Sequence, residues 1–196
     1  LAGPSLLAFI LVSKFDDHLP LYRLNEIFAR MGADIPDTTM VDWCGGAMKV
    51  LAPLIEKIEA HVMASPILHA DDTPIRVLDR SAKKKELGKA VKQGRIWTYV
   101  CDQRPWSGTA PPGAVYRFSP DRKGEHPRGH LAKSSGILQA DAYAGFNELY
   151  ERRADGSRWF REAACWAHLR RDFHDVWTAT KSDIALEALD RIGKLC

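Results

Sequence analysis

The chain has 196 residues, with 28 Lys and Arg against 25 Asp and Glu, a formal net charge of +3 and a hydrophobic fraction of 45%. That length buries a substantial core, either as one large domain or as a domain with a helical appendage, and the balanced composition excludes a disordered chain. So mild a basicity assigns no partner, and any attraction for nucleic acid has to come from local patches.

The four cysteines, Cys44, Cys101, Cys165 and Cys196, have no paired spacing and read as reduced thiols of a cytoplasmic protein, without disulfides. The apolar run from Leu6 to Val12 is far shorter than the roughly 20 residues of a membrane span, and it lacks signal-peptide flanks. No membrane contact is expected. The chain opens on Leu1 and stops at Cys196 within a predicted helix, so both ends are expected to be cuts in a longer reading frame.

In chain order, Leu6 to Phe15 fits a buried helix, broken at His18-Leu19-Pro20. A second helix follows with Leu21, Leu24, Ile27, Phe28 and Met31 at helical spacing, and Gly32 stops it. Thr39 with Asp42 three positions on matches a capping box. It opens a long amphipathic helix carrying Val41, Cys44, Met48, Leu51, Ile55, Ile58 and Val62, interrupted by Gly45-Gly46, where a kink or a close helix contact is expected. Two readings fit this segment: a helix-turn-helix that presents Asp42, Trp43 and Lys49 to DNA, or a helical hairpin packed on its neighbours.

Ile67-Leu68-His69-Ala70-Asp71-Asp72-Thr73-Pro74 reads as a buried strand that ends on two carboxylates, because Pro74 cannot donate to a ladder. Alternation places Ile67, His69 and Asp71 on one face and Leu68, Ala70 and Asp72 on the other, so only one aspartate enters any given cleft. The following Asp79 to Lys92 segment holds Lys83, Lys84, Lys85, Lys89 and Lys92, either as a solvated loop or as a grip on a phosphate backbone. Gly94 to Val100 and Ala114 to Phe118 alternate as strands, and a three-strand meander is the simplest arrangement. Arg122 to Lys133 is a second basic stretch leading into a short helix. Gly136 to Tyr143 is another apolar strand carrying aspartate at Asp141. Glu162 to Ala167 reads as a last strand. His168, Arg170 and Arg171 then open a helix with Leu169, Phe173, Val176 and Trp177 on its apolar face, and a further amphipathic helix follows.

Aspartates at the ends of two strands of one sheet bring carboxylates together from distant sequence. Asp71 and Asp141 suit Mg²⁺, which binds through one or two carboxylates plus substrate phosphates. Paired ions on such acids activate a hydroxyl and stabilise a leaving oxygen in phosphoryl transfer. The alternative is that each aspartate caps a turn. A zinc set of Cys165, His168 and His174 lacks a second cluster at finger spacing. His168 reads as orienting a carboxylate or a phosphate, and Arg170 and Arg171 as doing the same or facing solvent.

Several strings together resemble the transposases of the insertion-sequence-66 family, a branch of the DDE transposases with an RNase-H-like core. They are Lys14 to Arg30 with His18-Leu19-Pro20-Leu21-Tyr22-Arg23, then Leu68 to Pro74, Ser119-Pro120-Asp121-Arg122, Leu138 to Asn147 and Cys165 to Phe173. The resemblance implies an α/β fold, an RNase-H-like mixed sheet flanked by helices at 65–196, behind an all-helical segment at 1–64. It implies Asp71 and Asp141 as catalytic acids that bind Mg²⁺ or Mn²⁺ for DNA strand cleavage and strand transfer during transposition of an insertion sequence. Transposon ends and target DNA are the implied partners, with a homo-oligomer in the synaptic complex. Lys83, Lys84, Lys85, Lys89, Lys92, Arg122, His168, Arg170 and Arg171 are the expected DNA contacts.

Two departures stand out. Asp72 replaces the family's usual glutamate, and the third acid has no counterpart here, Glu162 and Glu187 being poor substitutes. That acid is expected beyond Cys196, leaving this stretch inactive alone. The alternatives are a non-catalytic DNA-binding module and another RNase-H-like phosphodiesterase.

Overall fold

The computed structural model describes residues 2–78, 91–153 and 156–194. Among these, seven α-helices and five strands form a mixed α/β structure. Backbone contacts divide the chain into two compact units, Leu1–Lys57 and Ile58–Cys196.

In the first unit, α1 (Pro4–Phe15) and α2 (Leu21–Arg30) pack with the start of α3 (Asp37–Met63) around Ile10, Leu21, Leu24, Phe28, Met40 and Cys44. Gly32, at φ +82, ends the α2 segment in the left-handed region that glycine tolerates. Four expectations need correction here. Helix α3 starts at Asp37 rather than Thr39, since the Met40 N–H already donates to the Pro36 carbonyl. Trp43 is half-buried against the apolar cluster rather than exposed. Among the described residues nothing lies within 4 Å of where a Cβ at Gly45 or Gly46 would sit, so no close helix contact is found there. Finally, α1 is apolar around most of its surface but leaves Phe9, Val12 and Phe15 exposed.

In the second unit the sheet runs β3-β2-β1-β4-β5. The strands are β1 (Ile67–Leu78), β2 (Val91–Cys101), β3 (Gly113–Ser119), β4 (Gly136–Ala140) and β5 (Phe160–Ala164). The first three form the expected antiparallel meander, and β4 and β5 add in parallel to β1. One face carries the core: Leu68, Ala70, Trp97, Tyr99, Val115, Leu138 and Ala140 are buried there with Leu131, Phe146, Leu149 and Phe160. Short helices α4 (Glu125–His130) and α5 (Asn147–Tyr150) flank that cluster, while α6 (Trp166–Thr180) packs against α7 (Asp183–Gly193). No residue of α6 is fully buried, so its expected apolar face stays half-exposed.

Strand β1 does not stop at Pro74 but continues to Leu78 along β2. The reason is local. Pairing of β1 with β4 ends at His69, and the Asp72 N–H is taken by the Asp71 side chain rather than by β2. Pro74, two residues on, directs its missing donor to the same vacated side, where no ladder bond is lost. Strand β4, by contrast, ends at Ala140, before the expected Tyr143, because the Tyr143 N–H donates to Asp141 Oδ1 and turns the chain. Likewise β5 ends at Ala164, since Trp166 already belongs to α6.

Candidate functional site

Where the parallel strands end, three side chains from distant sequence converge. Asp71 lies on β1 two residues past the last β1–β4 pair, Asp141 directly follows β4, and His168 lies in the first turn of α6 just after β5. The Cys165 N–H donates to the Ala140 carbonyl at 3.1 Å, which ties the start of α6 to the end of β4. Ligand atoms of Asp71, Asp141 and His168 all lie within 4.8 Å of one another. They line a cavity of about 170 Å³ with His69, Thr98, Gln139 and Cys165. The carboxyl edge of an α/β sheet is where ligands commonly bind.

Both aspartates also brace their own backbone. Asp71 Oδ1 accepts the Asp72 N–H at 2.8 Å, and Asp141 Oδ1 accepts the Tyr143 N–H at 3.2 Å. Turn-capping and convergence on a cleft are compatible: the bond at Asp71 uses one of two carboxylate oxygens, and at Asp141 the second oxygen is shared with Arg122.

Asp72 takes the other face. Its side chain is fully buried beside Leu68 and Ala70, opposite Trp97, and is neutralised by Arg95 Nη1 at 3.0 Å and Arg122 Nη2 at 2.7 Å. Arg122 also donates from Nε to the same carboxylate at 2.9 Å and lies 3.8 Å from the Tyr143 ring centroid. Its Nη2 reaches Asp141 Oδ2 at 3.3 Å, linking the buried acid to the cleft. Partial burial pulls the Arg122 pKa down, but Asp72 and then Asp141 outweigh it and hold it above the ordinary value.

The Ser119–Arg122 block is a clasp. Ser119 Oγ accepts the buried Trp97 indole N–H at 2.7 Å, and Asp121 Oδ1 accepts the Lys123 N–H at 3.1 Å and pairs with His126 Nε2 at 2.7 Å. Asp121, Glu125 and His126 form a second group of close donors, but Asp121 is already satisfied there, and these bonds lower its pKa.

At the start of α6, burial pushes the Cys165 thiol up, but the His168 and Ala167 N–H groups and the His168 ring outweigh it and leave the thiol below its ordinary value. In return the Cys165 sulfur raises the His168 pKa, with partial burial opposing and Asp141 and Asp71 assisting. The Nδ1 atom of His168 is buried without a hydrogen-bond partner.

The remaining expected contacts are scattered. Lys92 is exposed on β2, and Arg170 and Arg171 are exposed on α6. Lys83, Lys84, Lys85 and Lys89 lie outside the described residues. His174 sits by Asp175 and Trp177, away from Cys165 and His168 as a ligand set. Glu187 pairs with Arg191 within α7, so it does not join the cleft. Sequence reasoning missed the Asp72–Arg95–Arg122 network. Its signal was present in the alternation that put Asp72 beside Leu68 and Ala70, since a buried carboxylate requires a cation.

A family model described as Transposase IS66 family matches residues 1–196. The chain belongs to the IS66 transposase family. This IS66-family chain is similar to three uncharacterized proteins of Sinorhizobium fredii. It is 43% identical to y4hP, over 98% of this chain and 36% of that protein. Identity is 37% to y4qI, over 97% of the chain and 34% of the relative, and 35% to y4jD, over 100% and 37%. The chain thus spans about a third of the length of these relatives. No described helix is long and apolar enough to cross a membrane.

The IS66 assignment implies a divalent cation, and the cleft residues fit one. Asp71 and Asp141 offer the oxygen donors hard cations prefer, and a ring nitrogen of His168 lies within 4.8 Å of them.

Proposed function

We propose that this chain carries the metal-binding heart of a DDE transposase, with an RNase-H-like core that cuts DNA strands and joins them to target DNA. The convergence of Asp71 and Asp141 within one small cleft carries this reading. The five-stranded mixed sheet, with both acids at the edge where its parallel strands finish, supports it.

Each residue has a defined part. Asp71 and Asp141 hold Mg²⁺ or Mn²⁺, fixed in direction by their bonds to the Asp72 and Tyr143 N–H groups. The bound cations supply activation of the attacking hydroxyl and stabilisation of the leaving oxygen. Arg122 orients Asp141 from behind, and Asp72 anchors Arg122. Lys92, Arg170 and Arg171, all exposed, and the lysines of the 79–90 segment provide charge for the phosphate backbone of transposon ends and target. The third acid is assigned to a region outside this stretch, so we expect no transposition by these residues alone. Assembly of copies on paired DNA ends belongs to the same proposal.

The test is a calorimetric Mn²⁺ titration of the chain against Asp71→Asn and Asp141→Asn. Loss of at least about tenfold in affinity in each variant is expected, together with loss of the thermal shift that ligand binding gives the wild type. Unchanged affinity in both variants would remove the catalytic reading and leave a DNA-binding module with structural aspartates.

A further inference from the structure

We propose that His168 is a third protein ligand of the Asp71–Asp141 site, and that its nitrogen biases the site toward Mn²⁺ over Mg²⁺ and Ca²⁺. This rests on the metal-site reading above and adds a ligand and a selectivity to it.

The fold delivers His168 to this position. Strand β5 pairs with β4 in parallel up to Ala140 and Ala164, and α6 begins two residues later. The first turn of α6 is thereby set against the end of β4, where Asp141 lies. Among the described residues, the side chain that completes this donor group is an imidazole, not a third carboxylate.

The state of the ring makes it a ligand rather than a structural prop. A histidine that serves packing alone normally satisfies its buried nitrogens with protein groups or water. His168 Nδ1 is buried and has none, while the Cys165 sulfur is the ring's principal protein neighbour. The ring lies near both aspartates, within 4.8 Å between ligand atoms, yet no direct ion pair joins it to either one among the described residues. Close donors that do not bond to one another are the arrangement an ion requires. In an octahedral shell with bonds of about 2.1 Å, neighbouring ligand atoms stand about 3 Å apart and opposite ones about 4.2 Å. Ligand atoms that all lie within 4.8 Å of one another are on that scale.

Donor chemistry then sets the preference. Mg²⁺ and Ca²⁺ take oxygen ligands, whereas an imidazole nitrogen strengthens binding as the metal becomes softer along the first transition row. Mn²⁺ accepts both donor types. Two carboxylates and one imidazole therefore give Mn²⁺ an advantage that a site of three carboxylates lacks.

The probe is Mn²⁺ itself, bound to the full chain and read by pulsed electron paramagnetic resonance for nitrogen coupling, with Ca²⁺ competition followed by calorimetry. Wild type is expected to show a directly coordinated nitrogen and to resist Ca²⁺. His168→Ala is expected to lose the coupling and about tenfold in Mn²⁺ affinity. His168→Asp is expected to regain affinity without nitrogen coupling, and with Mn²⁺ and Ca²⁺ nearly equal. Mn²⁺ that depends on Asp71 and Asp141 but shows no nitrogen coupling in wild type would overturn the His168 assignment and leave the two acids intact. The His168 assignment is overturned equally if His168→Ala keeps its Mn²⁺ spectrum and weakens only DNA binding. Mn²⁺ held equally well by Asp71→Asn and Asp141→Asn would remove the carboxylate site, and this inference with it.

Discussion

At the scale of single residues, the neighbouring aspartates illustrate how a one-position shift on a strand changes chemistry. Asp71 faces the cleft, while Asp72 is enclosed between two guanidiniums on the core face. Removing one member of a buried charge cluster leaves the others uncompensated. Asp72→Asn is therefore expected to cost about 3 kcal/mol in chemical denaturation, the low end for such losses because both arginines retain some solvent. A stability loss below about 0.5 kcal/mol would contradict the clasp as described. Ser119 offers a neutral counterpart. Ser119→Ala strands the Trp97 indole N–H in the core, with an expected cost of about 1–3 kcal/mol and a change in Trp97 fluorescence. The alternation that separates the two aspartates was legible in the sequence, because the pleat is a local rule. The partners of Asp72 were not, since Arg122 is 50 positions on and only the folded sheet brings it near.

At the scale of elements, strand order and strand ends had different fates in the sequence. Apolar alternation located all five strands, but their limits depend on neighbours that no local pattern names. Pro74 illustrates this, since whether it ends a strand depends on which side its nitrogen faces and on where β4 has stopped. The long helix α3 shows the opposite error. Its apolar stripe is regular, yet Met48, Leu51, Ile55 and Ile58 remain exposed, and only Cys44 and Val62 of that stripe are buried. Periodicity states which face is apolar, not whether that face is covered. One glycine holds the junction that positions Asp141. Gly136 opens β4 at φ +124, and a Cβ there would come within 2.3 Å of the Pro66 carbonyl oxygen. The adjacent Ile137 N–H donates to that same oxygen at 2.8 Å, so the backbone cannot retreat without losing the start of the β1–β4 pairing. Gly136→Ala is expected to cost at least about 2 kcal/mol, read as a lowered melting temperature. Its Mn²⁺ affinity should fall with it, because Asp141 follows the same strand. Wild-type melting in this variant would show that β4 is anchored elsewhere.

For the molecule as a whole, one step of acid sensitivity follows from a half-buried ring in the sheet-bearing unit. His130 is held at a pKa of about 4, below its ordinary 6.5, first by burial and then by Arg117 and His126, with Glu59 opposing. Its Nδ1 lies 2.9 Å from the Tyr99 hydroxyl, whose own pKa is pushed up by burial and by Asp72 despite Arg117. The phenol stays protonated, and a neutral imidazole can accept its hydrogen bond at Nδ1. Between pH 6.5 and about 4 the unfolded chain binds a proton at this position that the folded chain refuses. Stability from this group is complete above pH 6.5 and is lost as the pH falls through that window. His168, shifted upward, acts at higher pH and with the opposite sign, and Asp121, shifted downward, acts at lower pH. The interval from pH 6.5 to about 4 therefore isolates His130 from both. Urea midpoints measured at pH 6.5 and pH 4.5 should fall steeply in wild type and much less in His130→Gln, which keeps an acceptor for Tyr99 but cannot titrate. Equal slopes in the two proteins would assign the acid sensitivity to carboxylates instead.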